Sequence, residues 1–189
     1  PMDEKVYVGL AVASMDNSVL TEAVFTDINI IDLDPQEEPE LAPMEAIDTS
    51  PDKWRSQDVY PFRGYPGSAE PLGDGTFAVR GSGNDIAGGA DDFEFVYQEI
   101  EGDVTLTAQV NSLDYTDPWA KSGLMVRASL DAQSANVHML QTAGRYRGLT
   151  YRQHTAWGTG TIWAYGNYAP ENGKGWVRLS RRGDSFIGY

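Results

Sequence analysis

The sequence predicts an all-β protein, a sandwich or barrel of many short antiparallel strands. Three observations lead there. No stretch longer than a turn or two keeps its apolar residues at helical spacing. Several runs instead alternate at period two, most cleanly 103–111, where Val104, Leu106, Ala108 and Val110 oppose Thr105, Thr107, Gln109 and Asn111. Glycine–aspartate clusters punctuate these runs, and that is turn chemistry.

Taken in order, 5–13 places Val6, Val8, Leu10 and Val12 on one strand face. Residues 20–31 are rich in β-branched types, and Met15-Asp16-Asn17-Ser18 reads as the turn between them. The expectation is a hairpin over 1–31. Residues 32–53 form an acidic, proline-bearing linker, with prolines at 35, 39, 43 and 51. The main body, 54–189, carries dense strand signal. Its segment 92–100 places Phe93, Phe95 and Tyr97 on one face, and 122–128, 135–141, 146–153, 176–181 and 185–189 continue the series. Turns are expected at Gly73-Asp74-Gly75, Gly88-Gly89, Glu101-Gly102-Asp103, Gly173-Lys174-Gly175 and Arg182-Gly183-Asp184.

Composition narrows the function. The 189 residues are 41% hydrophobic and 22% charged, enough apolar content for a sizeable core. A net charge of −14 argues against nucleic acid or an anionic membrane as partner. With no cysteine, thiol catalysis, disulfides and Cys-ligated metals are excluded, and two histidines cannot build a multi-histidine metal site. No apolar run is long enough to span a membrane as a helix. Charge is also uneven. Residues 1–60 hold 14 acidic and 3 basic side chains, whereas 141–189 hold 2 acidic and 7 basic ones. Such ends either attract each other, within or between copies, or simply sit on solvated strand faces. Because the chain ends at Tyr189 within a strand-like run, the expectation is a segment or a processed form of a longer protein.

From Trp54 onward a family resemblance emerges. It is carried by Gln57-Asp58-Val59, by 75–83 (GTFAVRGSG), by 90–98 (ADDFEFVYQ), by 102–110 (GDVTLTAQV), by 119–127 (WAKSGLMVR), and by 176–181 with 186–189. In this order they resemble the DUF1349-type domain, a concanavalin-like (LamG-like) jelly-roll sandwich of secreted, multidomain bacterial proteins. The resemblance implies that fold and an extracellular or cell-surface location, but no shared activity. Residues 6–28 resemble the last two strands of the same domain, displaced to the front. Trp54, Trp119 and Trp176 lie in the resembled motifs and are expected in the core.

The displaced hairpin has two physical solutions. It folds back through a linker of about 20 residues, at up to roughly 3.3 Å each, to complete its own sandwich. Alternatively it completes a neighbour's, giving a head-to-tail chain of identical copies or tandem repeats. The second is the favoured expectation: a structural block of a surface fibre or repeat, not an enzyme, joined through Val6, Val8, Leu10, Val12, Val24, Phe25 and Ile28, with the acidic linker laid over a partner's basic late strands. The alternative is a carbohydrate-binding accessory module of a secreted protein. It would use Trp157, Trp163, Tyr165 and Tyr168, whose rings sit between glycines with Arg145, Arg147 and Arg152 nearby. Those rings equally suit a subunit contact or a core.

Other candidate chemistry is thinner. Asp92 and Glu94 have the two-residue spacing of paired glycosidase acids, but solvent-facing strand acids explain them as well. Asn84, Asp85, Asp91 and Asp92 are candidate ligands for a structural calcium, and Asp114 and Asp117 flank another loop. Such residues also favour ordinary turns. Arg182-Gly183-Asp184 spells an adhesion tripeptide where a hairpin turn is required, and 81–86 lacks the third glycine and the helix of a dinucleotide loop.

Overall fold

The computed structural model describes residues 2–33, 46–59, 65–144, 146–163 and 174–189. These form two antiparallel sheets packed face to face, an all-β sandwich. In chain order the strands are β1 (Lys5–Ala13), β2 (Thr21–Leu33), β3 (Ala46–Ile47), β4 (Arg55–Val59), β5 (Ser68–Gly73), β6 (Thr76–Gly81) and β7 (Phe93–Glu101), then β8 (Asp103–Leu113), β9 (Lys121–Arg127), β10 (Asn136–Thr142), β11 (Arg147–Arg152), β12 (Gly160–Trp163), β13 (Gly175–Arg182) and β14 (Ser185–Gly188). Sheet A runs β12-β11-β10-β9-β1-β7-β4, and sheet B runs β14-β13-β8-β2-β6-β5 with β3 paired to β2. Among the described residues no helix is long and apolar enough to cross a membrane.

The first two strands are not a paired hairpin. β1 lies between β7 and β9 in sheet A, and β2 lies between β6 and β8 in sheet B. A turn at 14–20 carries the chain across the sandwich. There Met15 takes a positive φ of 69°, and Asp16 Oδ1 accepts both the N–H and the hydroxyl of Ser18. The physical reason is burial. Val6, Val8, Leu10 and Val12 on β1 and Ala23, Phe25, Ile28 and Ile30 on β2 share one interior cluster. In opposite sheets those two apolar stripes face each other, and each backbone gains two neighbours. The segment therefore completes the sandwich of its own chain. Val24 points away from that core, since period two puts it opposite Phe25. A bulge between Thr26 and Asn29, with Asp27 at φ 52°, resets the register so that Ile28 and Ile30 both reach the interior.

Sheet A is buried on both faces over much of its area. Its outer face carries a second apolar cluster of Ala11, Ala13, Val59, Ile86, Phe93, Phe95, Tyr97 and Met125. Phe93, Phe95 and Tyr97 share a face as their spacing requires, and Phe95 stacks on Tyr97 at 5.3 Å. The segment 82–92 and residues Leu130 and Ala132 cover this cluster. Several turns fall where glycine and aspartate predict them. In the β13–β14 hairpin Gly183 adopts φ 54° beside Asp184, so Arg182-Gly183-Asp184 is a tight turn.

Candidate functional site

The polar chemistry concentrates on the outer face and ends of sheet A. The β9–β10 and β10–β11 registers set Lys121 beside Thr142, Met125 beside His138, and His138 beside Thr150. They set Arg127 beside Asn136, and Asn136 beside Arg152. One strip thus holds three cations, a histidine and hydroxyls, with Gly123 opening the floor under the imidazole. A Cβ at Gly123 would lie 3.0 Å from His138 Nε2 and 2.1 Å from the Met139 carbonyl oxygen.

At one end of the strip Asp91 is buried and held by three side chains. Arg152 Nη2 meets Asp91 Oδ1 at 2.5 Å, while Arg127 Nη1 (3.1 Å), Arg152 Nη1 (2.9 Å) and Asn136 Nδ2 (2.9 Å) donate to Oδ2. The remaining guanidinium N–H groups donate to the carbonyls of Gly88, Ser129, Asp131, Ser134 and Trp157. Burial lowers the pKa of Arg127, and the Asp91 charge opposes that shift. This node ties three loops to the sheet. The other candidate calcium ligands also have protein partners: Asp85 pairs with Lys121 at 2.7 Å, and Asp92 Oδ2 accepts the N–H of Asn84. Among the described residues no group of three or more His, Cys, Asp or Glu is placed to hold a metal ion.

In the middle of the strip His138 is fully buried, and among the described residues neither ring nitrogen has a hydrogen-bond partner. The neighbouring Thr150 hydroxyl is likewise unmatched. Burial first, then repulsion from Lys121 and Arg127, pushes the imidazole down to about 3, so it is neutral at every ordinary pH.

At the other end, Trp119 and Tyr146 stack in parallel, centroids 4.9 Å apart and planes 9° apart. They are 42% and 43% exposed. Trp119 precedes β9, and its carbonyl accepts from Lys121 Nζ. Tyr146 precedes β11, and its N–H bonds Thr142 Oγ1. The loops that carry the two rings are zipped together by Gly144 N–H on the Pro118 carbonyl, at 2.7 Å. Past the far end of β11, roughly 20 Å away at about 3.4 Å per residue, Trp157 stands 58% exposed with the His154 ring edge-on at 4.4 Å.

Of the aromatic residues singled out from sequence, Trp157 is therefore exposed. Tyr165 and Tyr168 lie outside the described residues, as does Arg145, and of Trp163 only the backbone is described, in β12. Two of the three tryptophans expected in the core are not there. Trp54 is buried against Phe77, but Trp119 is exposed, and so is Trp176, at 52%. Trp176 precedes the inward-facing Val177 on β13, and alternation turns it to solvent. The Trp119–Tyr146 pair escaped the sequence reading, although Pro118 and the aspartates before it mark Trp119 as a turn residue.

Asp92 and Glu94 have separate surroundings: Asp92 Oδ2 accepts the Asn84 N–H at the loop end. Glu94 points between the sheets and is buried. Its cross-strand partner is Asp58 of β4, and the Ser56 hydroxyl donates to Glu94 Oε1. Burial, opposed by the Ser56 hydrogen bond and reinforced by Asp58, pushes Glu94 up to about 8. Comparison with known proteins found no matching family model, no similar curated protein and no similar solved structure.

Proposed function

We propose that this chain is a glycan-binding module of the concanavalin-like kind, resembling the DUF1349-type domain, and that it works outside the cell without catalysing a reaction. The observation that carries the reading is the Trp119–Tyr146 stack. Two large rings lie parallel and partly exposed, at 42% and 43%, at the end of sheet A, while Phe93, Phe95 and Phe77 are buried. Flat rings supply apolar contact at little conformational cost, and the adjacent Asp85, 37% exposed beside the buried Lys121, offers a carboxylate for hydroxyls. Screening the intact chain against a glycan array, followed by titration calorimetry, tests this. Trp119→Ala and Tyr146→Ala should each weaken binding about tenfold or more, roughly 1.4 kcal/mol, while Trp176→Ala on the other sheet leaves it unchanged. Absence of any glycan binding, or equal binding by all variants, overturns the reading.

A second reading, a structural block that joins copies of itself, is favoured by β14. Arg178 and Tyr189 exchange both backbone hydrogen bonds, so alternation directs the N–H and C=O of Phe186 and Gly188 away from β13. Beside this open edge Ile187 is 51% exposed. A groove of about 320 Å³ lies between Phe186 and the Leu149, Tyr151 and Ile162 side chains of sheet A. Since β1 and β2 serve their own sandwich, this reading moves the joint from the N-terminal strands to the β14 edge. Light scattering across a dilution series tests it. Oligomers that dissociate on Ile187→Lys, which blunts an edge strand, support the joint, and a monomer at every concentration removes it.

A further inference from the structure

We propose that Asp58 and Glu94 form a proton-operated latch, in which one proton shared by the two carboxyls holds β4 and the start of β5 against the sandwich. The two residues sit directly opposite each other in the β4–β7 register, within hydrogen-bond reach. Two carboxyls bond to one another only when one of them carries a proton. Asp58 already accepts the Gly67 N–H with both oxygens, at 3.0 and 3.1 Å, so the proton belongs to Glu94. Gly67 passes so close that a Cβ there would lie 2.6 Å from Glu94 Oε2. Those contacts join the edge strand of sheet A to the segment that opens the edge strand of sheet B.

Among the described residues no cation stands by to replace the proton. From β4, the groups facing Glu94 are the Ser56 hydroxyl and the Asp58 carboxyl. From β6, Gly81 lies beside it, and the Arg80 guanidinium is turned outward to Glu22 at 2.7 Å. From β1, Val12 is its cross-strand partner. Among the described residues neither carboxyl makes a salt bridge to a Lys, Arg or His. Loss of the proton therefore leaves two negative charges side by side in the interior, and the least costly relief is to release the outermost strand into water. With burial holding Glu94 near 8, the release falls in mildly alkaline solution. The latch does not rest on the glycan-binding reading: it lies on β4 and β7, whereas the Trp119–Tyr146 stack precedes β9 and β11 at the same end of sheet A but across β1 from it.

The test follows the intact chain from about pH 6 to pH 10. Carboxyl carbon NMR reads the Glu94 titration, and hydrogen exchange, corrected for its intrinsic pH dependence, reads protection in 55–59 and 67–71. The expected result is a Glu94 midpoint near 8 and protection in those two segments falling about tenfold per pH unit above it, the slope of one linked proton, with β1 and β8 unchanged. Glu94→Gln should keep protection flat over the range. Asp58→Asn should lower the Glu94 midpoint and keep the edge closed to higher pH. If either variant fails to fold, the wild-type titration decides alone. A Glu94 midpoint between about 4 and 5, or protection that stays flat in the wild type, overturns the latch.

Discussion

Asp91 is one residue doing the work of three loop anchors. Its two oxygens hold Arg127 and Arg152 out of water, and those guanidinium groups in turn hold the carbonyls of the loops around 87–88, 129–134 and 157. Removing it strands two buried cations, so Asp91→Ala should lower stability by about 3–5 kcal/mol in a urea titration. Surface changes such as Glu70→Ala, exposed on β5, should stay within roughly 0.5 kcal/mol. An Asp91→Ala loss below about 1 kcal/mol would show that the carbonyls alone hold the arginines. Little of this was legible in the sequence, because Asp91 looks like any aspartate in a glycine-rich loop. Arg127 and Arg152 are 25 positions apart in the chain, and only the strand registers bring them to one carboxylate.

Two further residues give the chain an unusual pH profile. His138 has a folded pKa near 3 against an ordinary 6.5, so between those values the unfolded chain binds more protons, and stability rises with pH. Glu94 has a folded pKa near 8 against an ordinary 4.5, so between those values the folded chain binds more protons, and stability falls as pH rises. From about 4.5 to 6.5 the two slopes oppose each other, each at most about 1.4 kcal/mol per pH unit. Above 6.5 only the Glu94 slope remains. Thermal melts should therefore show a nearly level stretch that turns down between about 6.5 and 8. Glu94→Gln should abolish the downturn, and His138→Gln should extend the decline to lower pH. A wild-type melting temperature still rising between 7 and 8 would contradict the Glu94 assignment.

At the scale of elements, period two was enough to place most strands. The runs 5–13, 103–111 and 122–128 match β1, β8 and β9 to within one or two residues. Alternation also settles faces, and it should have warned that Val24 and Phe25 cannot share one, nor Trp176 and Val177. Partner choice is another matter. A short turn between two apolar runs reads as a hairpin, yet β1 and β2 cross to opposite sheets, because facing stripes exclude more water than adjacent ones. Both strands are central, so deleting 2–33 removes an interior strand from each sheet. The truncated chain should show no cooperative unfolding and no protected amides in β7 or β8. A cooperative melt of that fragment would mean that the rest of the sandwich closes on its own.

At the scale of the whole molecule, the candidate binding surface and the candidate joint occupy different places. The Trp119–Tyr146 stack sits at one end of sheet A, while the groove by β14 sits along the side where β12 and β14 end their sheets. The two readings therefore separate cleanly. Ile187→Lys should change association without changing glycan binding, and Trp119→Ala should do the reverse. A single variant that abolished both would place them on one surface and contradict this arrangement.

The sequence by itself determined that the chain is all-β, where most strands and turns fall, and which residues of a strand share a face. Those properties follow from local alternation and turn chemistry, which neighbouring residues suffice to encode. Tertiary structure alone decided that β1 and β2 lie in opposite sheets, that Asp91 is held by two arginines, that Glu94 meets Asp58 inside the sandwich, and that Trp119 stacks on Tyr146. Each depends on a register between strands distant in the chain, and register is set by how whole apolar faces pack rather than by any local pattern.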